Sequence, residues 1–218
     1  MDIAKVIAQE LGIRAGQVEA TVKLIDEGCT IPFIARYRKE VTGSLNDEVL
    51  RDLYERLNYL RNLEERKETV IASIEEQGKL TDALKKQILD AMTLVAVEDL
   101  YRPYKQKRRT RATIAKEKGL EGLANIIYLQ MADRPIETDA QEYISEEKGV
   151  ASVGEAITGA LDIIAENISD EAEYRTYIRD ITVKEGKLVT AAKDAEAKSV
   201  YEMYYDFEEP IAKAAGYR

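Results

Sequence analysis

Six cations, Arg102, Lys105, Lys107, Arg108, Arg109 and Arg111, fall within ten residues, with Tyr101 and Tyr104 interleaved. Guanidinium and ammonium groups neutralise phosphates and release their counterions, the term that dominates non-specific nucleic-acid binding. Tyrosine rings can stack on exposed bases of DNA or RNA. A second reading fits the same residues. Basic loops also pair with acids of their own protein, and Glu64, Glu65, Glu75 and Glu76 are available; tyrosines also pack, leaving a wet hydroxyl. A smaller cluster holds Arg36, Arg38 and Lys39. These would face phosphate if the short helices before them form a helix-turn-helix. In an ordinary three-helix packing unit they are instead a solvated helix end whose charge suits the C-terminal dipole.

The surroundings sharpen the contrast. Residues 102–118 carry eight Lys or Arg against one acid, Glu117, whereas the whole chain of 218 residues has a net charge of −9. A cationic strip therefore sits in an acidic protein, which argues against a generic polyanion binder and for a localised one. Catalytic chemistry is poorly supplied. With no histidine, the usual general base and the usual metal ligand are both missing. The lone Cys29 has no histidine to activate it, and neither a P-loop nor a dinucleotide-binding glycine fingerprint occurs. The expectation is a binding protein and not an enzyme, with no cofactor and no metal. One cysteine, no signal-peptide pattern in MDIAKVIAQELG, and no run of roughly eighteen apolar residues point to a cytoplasmic protein without a membrane span.

Helical periodicity must position these residues. Ile3, Val6, Ile7 and Leu11 make one apolar stripe ended by Gly12, and Val18, Val22, Leu24 and Ile25 a second, closed by Gly28. Pro32 suits the first turn of a third short helix running through Arg38. Asn46 is a good N-cap, and Leu50, Leu53, Leu57, Leu60 and Leu63 follow at three- and four-residue spacing, with Val70, Ile71 and Ile74 extending the stripe past a polar middle at Glu64 to Glu68. Unbroken, a helix over 46–77 spans roughly 48 Å, a strut that suits a scaffold. Thr81 caps another helix, Pro103 stops a piece at 95–101, and the segment from Arg102 to Arg111 reads as an irregular exposed loop. Residues 131–139 read as a surface connection, with helices at 152–168 and from Asp170 to Glu185. Lys187 to Thr190 reads as extended, and the aromatic-rich end has no evident closing element. The fold class is all-α: a multi-helix assembly with a helix-turn-helix-like unit at 1–45, a long helix, helical hairpin and basic loop at 46–130, and a C-terminal helical region at 131–218.

Three long segments, IPFIARYRKEVTGSLNDEVL (31–50), EEQGKLTDALKKQI (75–88) and EDLYRPYKQKRRTRATIAKEKGLEGLA (98–124), are similar to the bacterial Tex family of transcription accessory proteins, as is YYDFEEPI (204–211). The resemblance runs over the whole chain. It implies a helical, helix-turn-helix-like N-terminal region. In the family this region is followed by a ribonuclease-H-like domain, helix-hairpin-helix elements and an OB-fold RNA-binding domain. The chain is therefore expected to be an N-terminal fragment. The resemblance also implies nucleic-acid binding in transcription, much of it carried by the C-terminal domain, and a relation to eukaryotic elongation factors that associate with RNA polymerase. RNA polymerase or other transcription factors are the implied protein partners. The family usually has Leu and Pro where this chain has Arg102 and Gln106; the first adds charge and the second removes a rigid residue.

Overall fold

In the computed structural model, which describes residues 1–106, 108–130 and 133–216, twelve α-helices account for most of the chain. They form two compact units, Met1–Tyr101 and Arg102–Arg218. The boundaries drawn from sequence after residues 45 and 130 fall inside these units.

The first unit is built on α5 (Asp47–Glu76), thirty residues and about 45 Å long. Asn46 starts it as expected, its side chain accepting from the Val49 amide at 2.8 Å. The leucine stripe is wholly buried and continues through Lys67, Val70 and Ile74. Against it lie α1 (Ile3–Leu11), α2 (Ala15–Asp26), α3 (Ile31–Tyr37), α6 (Asp82–Asp90) and α7 (Leu94–Tyr101), and the one-turn α4 (Lys39–Thr42) packs on α2 and α3. Side chains of α5 tie down α1, α2 and α7. Arg56 forks onto Glu10 of α1 at 2.6 and 2.7 Å, and Arg61 onto Asp26 of α2 at 2.8 and 2.9 Å. Arg66 meets Glu98 of α7 at 2.6 Å. The Tyr59 hydroxyl accepts from the Leu94 amide at 3.1 Å.

Lys67 is the exception in this core, only 1% exposed. Its ammonium donates to the Leu89 carbonyl at 2.8 Å and pairs with Glu64 at 2.9 Å. Glu64 also takes the Met1 α-ammonium at 2.8 Å. Burial pushes the Glu64 carboxyl up, but hydrogen bonds from Met1 and Lys67 outweigh it and hold the group below its usual range. The polar middle of the helix thus puts one charge, Lys67, into the core, with Glu64 half-buried beside it.

The second unit packs α8 (Arg111–Glu117) and α9 (Glu121–Leu129) against α11 (Val153–Asp170). Ala112, Ala115, Leu120, Leu123, Ala156, Ala160 and Ile163 are buried between them. Gly159 lets Leu120 approach α11; a Cβ there would lie 2.4 Å from Leu120 Cδ1. Three expectations change here. Part of the surface connection at 131–139 is helical: α10 (Ile136–Gln141) buries Asp139 and Ala140, with Arg134 bound to the Asp139 carboxylate. Asp170 does not cap the next helix. It ends α11, Glu171 leaves helical geometry at ψ 117°, and α12 (Ala172–Glu185) starts there. The chain also has a closing element: β1 (Lys187–Ala191) pairs antiparallel with β2 (Asp206–Pro210), Val189 opposite Glu208. Each strand is five residues long and the pair is joined by fourteen, so neither advertises the other.

Candidate nucleic-acid interface

Tyr101 ends α7 with its hydroxyl 3.0 Å from Ser73 Oγ and its ring under the Arg66 guanidinium, 5.4 Å from the centroid. Of the two roles open to it, packing is the one it takes, which removes one ring from the stacking surface. The second unit then opens with a 3-10 turn at Arg102–Tyr104, and the described residues between it and α8, 105–106 and 108–110, are in no helix or strand. Thr110 restarts regular structure. Its hydroxyl accepts from the Thr113 amide at 3.0 Å as the cap of α8 and donates to Glu166 Oε1 at 3.0 Å. With its one proton spent on Glu166, the 2.9 Å contact with Thr113 Oγ1 is donated by Thr113. This clamp fixes where the basic segment meets α11.

The facing wall is acidic. Asp162, Glu166 and Asp170 recur at four-residue spacing on α11, so they share one side of the helix. Arg102 Nε donates to Asp170 Oδ1 at 3.1 Å, and Asp170 is only 14% exposed. Arg111 reaches Asp162 at 3.6 Å but stays 86% exposed, a loose surface pair. Arg109 pairs with Glu117 of α8 at 2.7 Å. Among the described residues the basic segment is paired with Asp162, Asp170 and Glu117 of its own unit. Glu64 is committed to Lys67 and Met1.

Between the walls lies an open cleft of about 500 Å³, lined on the basic side by Arg102, Lys105, Arg108 and Arg111. Lys105 and Arg108 are exposed, and among the described residues neither makes an ion pair. Lys107 lies outside the described residues. The five described cations of the cluster thus divide into Arg102, Arg109 and Arg111, already facing carboxylates, and Lys105 and Arg108, which are not. The acidic stripe on α11 escaped the sequence reading, although its spacing was the signal.

The second cluster belongs to the first unit. Arg36 and Lys39 are exposed and Arg38 is half-buried, at the end of α3 and the start of α4. Arg38 lies over the Phe33 ring at 5.1 Å from the centroid, and Arg36 over Tyr37 at 6.0 Å. Among the described residues no group of His, Cys, Asp and Glu is arranged to hold a metal ion. No helix there is long and apolar enough to cross a membrane.

Comparison with known proteins now bears on the same residues. The Tex-like protein N-terminal domain matches residues 1–75, and the Tex central region-like family matches residues 132–218. A Bacillus subtilis relative named Uncharacterized protein YdcI is 52% identical over 215 residues, 97% of this chain and 30% of that protein. The Neisseria gonorrhoeae Transcriptional accessory protein Tex is 44% identical, covering 100% of this chain and 29% of its own length. A human protein named S1 RNA-binding domain-containing protein 1 is 29% identical over 84% of the chain and 18% of its own length. The chain thus spans about 30% of the length of its bacterial relatives. With both regional matches in order along a helical chain, and relatives aligned across the basic segment, this protein belongs to the Tex family, whose N-terminal domain and central region it carries.

Proposed function

We propose that this part of a Tex-family protein is a nucleic-acid-contacting module of a transcription accessory factor, acting in the cytoplasm by binding and not by catalysis. The observation that carries it is the cleft of the second unit, where Lys105 and Arg108 are exposed and, among the described residues, in no ion pair, beside arginines held by the protein's own acids. Phosphate oxygens of DNA or RNA would meet these two cations first. The name of the gonococcal relative supports a place in transcription, and that of the human relative supports RNA. In this reading Arg36, Arg38 and Lys39 are not needed for the cleft, and a helix-turn-helix role for α1 to α3 is a separate proposal.

Titrating labelled duplex DNA, single-stranded DNA and single-stranded RNA at several salt concentrations tests the proposal. Wild-type chain should bind with a salt-dependent constant, and a Lys105→Ala, Arg108→Ala double variant should lose most of the salt slope. Equal slopes for the two proteins would refute the site. A second reading, a scaffold that meets RNA polymerase or positions later domains, is favoured by one observation: three of the arginines already face carboxylates of their own unit. It predicts no measurable nucleic-acid binding by the chain and a direct complex with purified RNA polymerase.

A further inference from the structure

Phe33 and Tyr37, one turn apart on α3, are 38% and 56% exposed with ring centroids 5.3 Å apart, and Val41 of α4, past the break in helical geometry at Arg38, is 44% exposed. Large apolar side chains left open in a row, with charges at the margin, mark interaction surfaces on otherwise soluble units. The margin here is cationic: Arg36, Arg38 and Lys39 against the single acid Glu40. These cations differ from the arginines of α5 in having no carboxylate partner among the described residues. All four arginines of α5, Arg51, Arg56, Arg61 and Arg66, sit on carboxylates. Among the described residues Arg36, Arg38 and Lys39 make no ion pair, and two of them lie over the exposed rings. Arg38 is further fixed by donating to the Tyr37 carbonyl at 3.0 Å.

We propose that this face docks an acidic, amphipathic peptide segment of a protein partner. Its apolar side chains would enter the Phe33–Tyr37–Val41 stripe, and its Asp or Glu residues would reach Arg36, Arg38 and Lys39. Aromatic side chains and arginine are the types enriched at the centres of such interfaces. The tilt of the rings and the guanidiniums near their faces favour a peptide over a run of stacked bases as the occupant. Stacking on successive bases calls for parallel platforms, whereas the Phe33 and Tyr37 rings are 5.3 Å apart and tilted by 48°. Each ring also carries a guanidinium near its face. A tilted pair leaves a notch, which suits a branched or aromatic side chain, and the flanking cations suit carboxylates. The proposal is independent of the cleft in the second unit, because it uses none of its residues.

The test is a titration of the chain with a fluorescein-labelled synthetic peptide that places Leu and Phe at helical spacing among Asp and Glu. Backbone amide shifts at residues 31–42 report the location. Binding should weaken about ten-fold or more in Tyr37→Ala and in Lys39→Glu, and stay unchanged in the Lys105→Ala, Arg108→Ala variant. A peptide with Lys in place of the acids should not bind. Thermal melts by circular dichroism establish that the variants fold; should Phe33→Ala melt early, the more exposed Tyr37 and Lys39 carry the test. No binding of the acidic peptide, or binding indifferent to Tyr37→Ala, overturns the proposal. So does an oligonucleotide that shifts the 31–42 amides and is lost in Tyr37→Ala while the peptide fails to bind.

Discussion

Removing two carboxylates of α11 should make this protein a better nucleic-acid binder, and by an amount that can be worked out. In the wild type Asp170 holds Arg102 at 3.1 Å and Asp162 faces Arg111 at 3.6 Å. A cation already neutralised by its own protein releases no counterion when a phosphate replaces that partner. The net contacts available are then Lys105 and Arg108, and two contacts on duplex DNA give a slope of log K against log salt of about −1.8. Asp162→Asn with Asp170→Asn keeps the side-chain volumes and frees two more cations, so the slope should steepen to about −3.6. Each added contact is worth about five-fold near physiological salt, or roughly 25-fold for the pair, if counterion release is the whole effect. Fluorescence anisotropy of a labelled duplex at several salt concentrations measures both quantities. Glu173→Gln, an exposed charge of α12 outside the cleft, serves as the control for a simple change of net charge. An unchanged slope in the double variant would refute the argument, because it would mean that Arg102 and Arg111 do not compete for phosphate. Weaker binding would refute it too, by showing that the acids hold the segment in its binding geometry.

Three further outcomes concern the fold. Lys67→Ala should destabilise the first unit by roughly 3 kcal/mol, since it leaves the Leu89 carbonyl without its donor, leaves Glu64 with Met1 alone, and opens a cavity. Lys67→Met keeps the volume and should cost about 1–3 kcal/mol; urea denaturation followed by circular dichroism separates the two. Acid should destabilise the same unit. Hydrogen bonds from Arg56 and Arg61 hold Glu10 and Asp26 below the ordinary carboxylate range, and those from Met1 and Lys67 hold Glu64 there against burial. The unfolded chain then binds more protons as pH falls from about 5, so stability present above that range is lost below it, with no histidine to add a step near pH 6.5. Denaturation midpoints across pH check this, and Glu64→Gln should flatten the acid limb. In the second unit Gly159→Ala pushes a methyl against Leu120 and Ala115. The overpacking should exceed the helix-propensity gain by about 1 kcal/mol, read as a lowered melting temperature.

Lys67 shows how far the one-dimensional pattern reaches. It stands four residues after Leu63 and three before Val70, so it lies on the buried stripe by spacing alone. Of its two acceptors, Glu64 one turn back follows from helical spacing, whereas the Leu89 carbonyl of α6 does not. The candidate site divides in the same way. Its cations could be read as a cluster because they are neighbours in the chain, and the stopping of α7 near Pro103 could be read from proline chemistry. Which of them are free could not, because Asp170 is 68 residues from Arg102.

Local forces account for what was visible from residues alone: caps at Asn46 and Thr81, the leucine period of α5, the breaks at Gly28 and Gly78, and the cationic strip itself. These arise from hydrogen bonds and apolar faces that close within a few residues, so a linear chain displays them. Packing settled the rest. It set α11 and its acids against the basic segment, turned Tyr101 inward, paired two short strands across fourteen residues, and left Phe33 and Tyr37 uncovered. Each of those outcomes depends on partners distant in sequence, whose meeting is chosen by the burial of a whole unit and not by any residue's own preference.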